Sequence, residues 1–135
     1  MYKRTEIMKQ MKSVLLVFGD EKELEFIEAE LKENGFRIMK TNTLDNALVI
    51  AEKTIPDLIV INTPDHENDL REFNSKIRTE RLKNVSVLSL VELEEYLKPS
   101  EPQHVVIKPV RPKLLLSVIR GIMNREEVNW LPAVH

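Results

Sequence analysis

The sequence predicts an α/β protein, a single doubly wound domain of five β-α units around one five-stranded parallel sheet. Three observations predict it. Short, uniformly apolar runs recur along the chain, as expected of strands buried on both faces. Between them lie longer stretches with apolar residues three and four apart, the spacing of an amphipathic helix. The two patterns alternate throughout, an order that implies a parallel sheet covered by crossover helices.

Each element has its own signal. Val14 to Phe18 is the first apolar run, stopped at Gly19-Asp20. Leu24, Ile27 and Leu31 then form a helical stripe. Asp20 can cap this helix, and Glu23, three residues on, completes a capping-box pattern. Asn34-Gly35 ends it, because glycine takes the left-handed conformation without a Cβ clash. Phe36 to Lys40 reads as a second strand. Thr43 caps a helix with Leu44, Ala47, Leu48 and Ala51 on one face. Pro56 breaks that helix and leads into the third strand, which ends at Asn62. After a polar loop over residues 65–68, Leu70, Phe73 and Ile77 mark a third helix. Val85 to Leu90 is a fourth strand, followed by a short acidic helix from Glu92 to Lys98 that Pro99 stops. Pro99, Ser100 and Pro102 make a rigid turn. Val105 to Ile107 is the fifth strand. Pro112 suits the first turn of a last helix, with Leu115, Val118, Ile119 and Ile122 inward. The run Leu114-Leu115-Leu116 holds one leucine more than a core face needs, a candidate for a partner or dimer surface.

Composition narrows the function. The chain has 135 residues, enough to bury a core without disulfides or metals, with 42% hydrophobic and 31% charged residues. It has no cysteine, which excludes thiol catalysis and cysteine-ligated zinc and fits a reducing compartment. Three glycines argue against a glycine-rich nucleotide-binding loop, and scarce aromatics argue against an aromatic-lined cofactor cleft. His66, His104 and His135 are dispersed, without metal-ligand spacing. The net charge of -2 offers no global field for nucleic acid. Residues 1–12 form a basic leader carrying Lys3, Arg4, Lys9 and Lys12, although Met11 is an alternative start. Residues 13–124 form the domain and 125–135 a tail; the order of both ends stays open. No apolar run approaches the length of a membrane span and the leader lacks a secretory pattern, so the expected location is the cytoplasm.

In an open parallel sheet, ligands bind beyond the carboxyl ends of the strands. That singles out Gly19-Asp20, Asn62 and Lys108-Pro109. With Pro56-Asp57 entering the third strand, Gly35-Phe36 before the second, and Thr43 to Leu48 opening the second helix, these residues together resemble the CheY-like receiver domain of response regulators. The similarity covers about residues 13–124. It implies a flavodoxin-like fold with strand order 2-1-3-4-5, and a place in bacterial two-component signalling or a phosphorelay. It also implies a phosphoacceptor carboxylate at position 62, an acidic pair at 19 and 20, and a phosphate-binding lysine at 108. A hydroxyl is implied at Val91 (or Ser89, with a shift of two) and a switching aromatic at Val105.

The departures define the functional expectation. Asn62 has nearly the shape of aspartate but no charge and almost no nucleophilicity, so it cannot form an acyl phosphate. Of three family carboxylates only Asp20 remains, since Gly19 has no side chain and Glu21 is not at a usual ligand position. Mg²⁺ binding is therefore expected to be weak or absent, with Asp20 a weak candidate ligand and no cofactor. Neither half of the hydroxyl-aromatic relay is evident, and Ser89 could supply the hydroxyl only with the shift of two residues. Asn62 is expected to act as a structural amide bonded to Lys108. Lys108 otherwise binds an anion or pairs with Asp20, which also reads as a plain N-cap. The leading expectation is a non-enzymatic, phosphorylation-independent pseudo-receiver that binds a protein partner, either a signalling protein or a second copy. The alternative is an active regulator phosphorylated with Mg²⁺ at a non-standard aspartate, Asp57 or Asp65. A nucleic-acid module using the basic leader is a third, weaker reading.

Overall fold

The computed structural model describes residues 11–62, 67–91 and 104–124. Residues 65 and 66 of the expected polar loop, the helix expected from Glu92 to Lys98, the turn at Pro99 to Pro102, nearly all of the leader and the tail lie outside these residues; 67 and 68, expected in the loop, instead open a helix. The described elements are β1 (Ser13–Phe18), α1 (Glu21–Glu33), β2 (Arg37–Thr41), α2 (Leu44–Thr54), β3 (Leu58–Asn62), α3 (Glu67–Ile77), β4 (Ser86–Val91), β5 (His104–Ile107) and α4 (Pro112–Met123). The strands pair in parallel in the order β2-β1-β3-β4-β5, as the resemblance implied.

Strand burial follows position in the sheet. The central strands β1 and β3 are buried at every residue, which their unbroken apolar runs require. The edge strands β2 and β5 are half-exposed, and β2 accordingly reads as a partial alternation. Alternate residues feed two cores. Val14, Leu16, Phe18, Leu58, Val60, Leu88 and Leu90 pack against Ile27 and Leu31 of α1 and Leu115, Leu116 and Ile119 of α4. On the other face Leu15, Val17, Ile59, Ile61 and Val87 meet Ala47 and Ala51 of α2 and Phe73 and Ile77 of α3. Each fully buried valine, leucine, isoleucine or phenylalanine among them contributes about 1.5–3 kcal/mol relative to exposure. Leu114 is the leucine left over, 53% exposed.

Helix ends are set by local chemistry. Asn34 is the C-cap of α1 and Gly35 follows at φ 88°, in the left-handed region. The amide of Phe36 donates to the carbonyl of Leu31 and that of Gly35 to Lys32, both at 3.1 Å, the double bond of a Schellman turn. Phe36 therefore closes α1 and packs in the same core as Leu31, and β2 begins one residue later than the sequence suggested. Thr43 Oγ1 accepts from the amide of Asn46 at 3.2 Å, capping α2. That helix ends at Ile55, whose φ of 46° is uncommon for a β-branched residue. Glu28, on α1, meets Lys32 at 2.9 Å and Lys40 of β2 at 3.0 Å. Its carboxyl is held below the usual carboxylate range by hydrogen bonds from Lys32 first and Lys40 second.

The two left-handed residues make opposite predictions. Gly35→Ala adds a Cβ that meets no neighbour yet forces a side chain into φ 88°, so it should cost about 1 kcal/mol. Ile55→Gly relieves the same backbone strain at a residue 45% exposed, so it should leave stability unchanged within about 0.5 kcal/mol or raise it. Urea denaturation of the two variants checks both signs.

Candidate functional site

The carboxyl ends of the strands assemble the candidate site. Phe18 is in register with Asn62, so Gly19 and Asp20 emerge beside the end of β3. The amide of Gly19 donates to the carbonyl of Asn62 at 3.0 Å, closing the ladder above the last paired residues. Val91 is in register with Ile107, and the amide of Lys108 donates to the Val91 carbonyl at 2.8 Å. Lys108 therefore stands two strands from Asn62, a lateral separation of about 10 Å between backbones, within reach of a lysine side chain. The Lys108-Pro109 peptide bond is cis. β1 and β3 are adjacent while their chains run to opposite sides of the sheet, so Asn62 sits at the topological switch point.

Asp20 is the N-cap of α1. Its Oδ1 accepts from the amides of Lys22 at 2.9 Å and Glu23 at 3.0 Å, with an extended backbone at φ -100° and ψ 120°. This satisfies two of the four donors that a helix start leaves open. Glu21 and Glu23 add negative charge in the first turn, where the helix dipole favours it.

Asn62 is 5% exposed, and its side chain has a partner that the sequence reading missed. The amide nitrogen donates to Glu23 Oε2 at 2.5 Å; a bond with Lys108, which only donates, would use the amide oxygen. The reciprocal capping box expected of Glu23 is replaced by its bond to Asn62: its carboxylate serves the strand end instead of the N-cap amide. A buried amide needs an acceptor, and the third residue of α1 is the one in reach.

The other expected positions fall into place differently. Ser89 is buried and level with Ile61 and Val105, one row below Asn62. By strand alternation Ser89, Val91 and Val105 share the face of Val87, opposite that of Val60 and Asn62. The shift of two residues that would bring Ser89 to the strand end is therefore not made. Asp57 lies at the amino end of β3. Its Oδ2 accepts from the amide of Ser13 at 2.8 Å and from the Ser13 hydroxyl at 3.3 Å. Five residues of extended chain, about 16 Å, separate it from Asn62. This placement takes Asp57 out of the pocket as a replacement acceptor; Asp65 lies outside the described residues.

The donor set does not fit the Mg²⁺ site the resemblance implied. Asp20 is engaged by the backbone of α1, Gly19 offers no ligand, and position 62 turns an N–H donor toward the carboxylate it touches. Among the described residues no group of three acidic, histidine or cysteine side chains could hold a metal ion. A separate cleft of about 290 Å³ lies between the start of α2 and α3, lined by Asp45, Asp69, Glu72, Phe73 and Lys76 among others. Among the described residues no helix is long and apolar enough to cross a membrane.

No protein-family model matches the chain, and no curated protein matches its sequence. Solved structures do match. The chemotaxis response regulator CheY4 of Vibrio cholerae superposes with a TM-score of 0.73 at 22% identity, over 84% of this chain and 99% of that one. The receiver domain of the sensor histidine kinase PA1611 from Pseudomonas aeruginosa, described with a magnesium ion in its active site cleft, gives 0.71 at 20% identity over 84% and 98%. The anti-anti-sigma factor PhyR of Bartonella quintana gives 0.67 at 20% identity over 93% of this chain and 53% of that one. At these identities the likeness establishes the fold, which is the CheY-like receiver fold of response regulators.

The cap reading of Asp20 is directly testable. Asp20→Ala should cost about 1 kcal/mol of folding stability, and Asp20→Asn, which keeps a capping oxygen, much less. Chemical denaturation of both variants separates a capping role from one that needs the charge.

Proposed function

We propose that this chain is a phosphorylation-independent pseudo-receiver, a non-enzymatic protein-protein interaction module in bacterial two-component-type signalling. The observation that carries this reading is the side chain at the end of β3. Where an attacking carboxylate would stand, the chain has a buried amide already bonded to Glu23. An amide nitrogen is no nucleophile, and a donor pointed at a carboxylate opposes the entry of a metal. The receiver fold around it is complete in strand number and order, and it is shared with proteins described as response regulators. What remains for such a scaffold is its surface. Leu114 on α4 is an exposed apolar side chain, and Ile107 at the end of β5 is another on the opposite face of the sheet. An exposed apolar side chain such as Leu114, with polar residues around it, can anchor a protein partner or a second copy.

The reading of an active regulator keeps no support from Asp57, which is bonded to Ser13 at the wrong end of the sheet. A thermal-shift titration with beryllofluoride and Mg²⁺ tests the proposal. Wild-type protein should melt at the same temperature with and without the pair, because no carboxylate at position 62 can take the phosphoryl mimic. A clear stabilisation, saturating with beryllofluoride and dependent on Mg²⁺, would show a working acceptor site.

A further inference from the structure

We propose that the Asn62–Glu23 hydrogen bond is a latch. It holds the first turn of α1 against the end of β3, the part that a cation bridging two carboxylates would otherwise play, and fixes this end of the sheet in one conformation. The proposal deepens the pseudo-receiver reading and rests on it only in that no phosphoryl group has to enter the pocket.

Two features make this pair more than an incidental contact. The partners are 39 residues apart, one on the central strand and one on a covering helix, so the bond joins layers that the backbone does not. The β1-α1 connection is also held at other points: the Gly19 amide donates to the Asn62 carbonyl, and Asp20 accepts from the amides of Lys22 and Glu23. The whole β1-α1 connection is thereby tied to β3 through backbone, cap and side chain.

The polarity of the pair is what the latch depends on. A donor on the strand meets an acceptor on the helix. A carboxylate at position 62 would face the Glu23 carboxylate at hydrogen-bonding distance. Two such groups repel, although Glu23 is exposed, and the repulsion is relieved when one takes up a proton, a cation lies between them or Glu23 turns away. The neutral amide thus does two things at once: it removes the nucleophile, and it converts a repulsive pair into a closed one without metal.

The test is a polarity swap in the full chain, read by melting temperature with and without Mn²⁺ as the sole added ion. Asn62→Asp should lower the melting temperature by roughly 5 °C, and Mn²⁺ should recover most of that loss in this variant while leaving wild type unmoved. The double variant Asn62→Asp with Glu23→Gln restores one donor and one acceptor in reversed positions. It should return to within about 2 °C of wild type without metal. The latch is overturned if Asn62→Asp melts like wild type in the absence of metal, or if the double variant melts no higher than Asn62→Asp alone. Should Asn62→Asp fail to fold, a folded double variant supports the latch and an unfolded one overturns it. A response of wild type to beryllofluoride would sink the pseudo-receiver reading, and the latch would then be decided by the swap, which is read without beryllofluoride; a failed swap sinks the latch alone.

Discussion

Burial of the central strands on both faces is the constraint from which the rest of the structure follows. β1 and β3 have no exposed side to lend to a ligand, so any chemistry is forced to the strand ends. Parallel pairing places all the carboxyl ends together, and the reversal of winding between β1 and β3 opens the crevice at Asn62. The helices that cover the sheet bring their first turns to the same end, and α1 arrives there with Asp20 as its cap and Glu23 within reach of the strand.

At that end lie the residues on which the proposed function turns. A receiver-like pocket concentrates negative charge and relies on a cation to hold it. Here Gly19 and Asn62 carry no charge, and the carboxylates of Asp20 and Glu23 are engaged by donors of the chain itself. Asp20 is held by backbone amides and Glu23 by the Asn62 side chain. A buried amide with a charged acceptor is favourable where an unpaired one would cost about 1–3 kcal/mol.

Much of this was legible in the sequence, for physical reasons that also explain what was not. Short apolar runs such as Val14 to Phe18 and Leu58 to Ile61 suit strands buried on both faces, and the stripes of Leu24, Ile27 and Leu31 or Leu115 and Ile119 fix which helix faces turn inward. Caps are local chemistry, so Asp20 and Thr43 could be placed from neighbouring residues alone. Boundaries set by the ladder moved by a residue: β4 ends at Val91, and Phe36 belongs to the turn that closes α1. The partner of Asn62 was missed because a local rule pointed elsewhere. Glu23 fits a capping box, and only a tertiary contact made from 39 residues away shows that its carboxylate serves the strand. Asp57 misled for a related reason. Its nearness to Asn62 in sequence becomes a full strand length in space, and its own partner, Ser13, lies 44 residues back.

The central claim is that an amide at the end of β3 leaves the receiver fold without a phosphoacceptor. Its most direct test is intact-mass measurement of the full chain after incubation with a small phosphodonor and Mg²⁺. The account predicts an unchanged mass for wild type; addition of one phosphoryl group, acid-stable and alkali-labile as an acyl phosphate is, would contradict it.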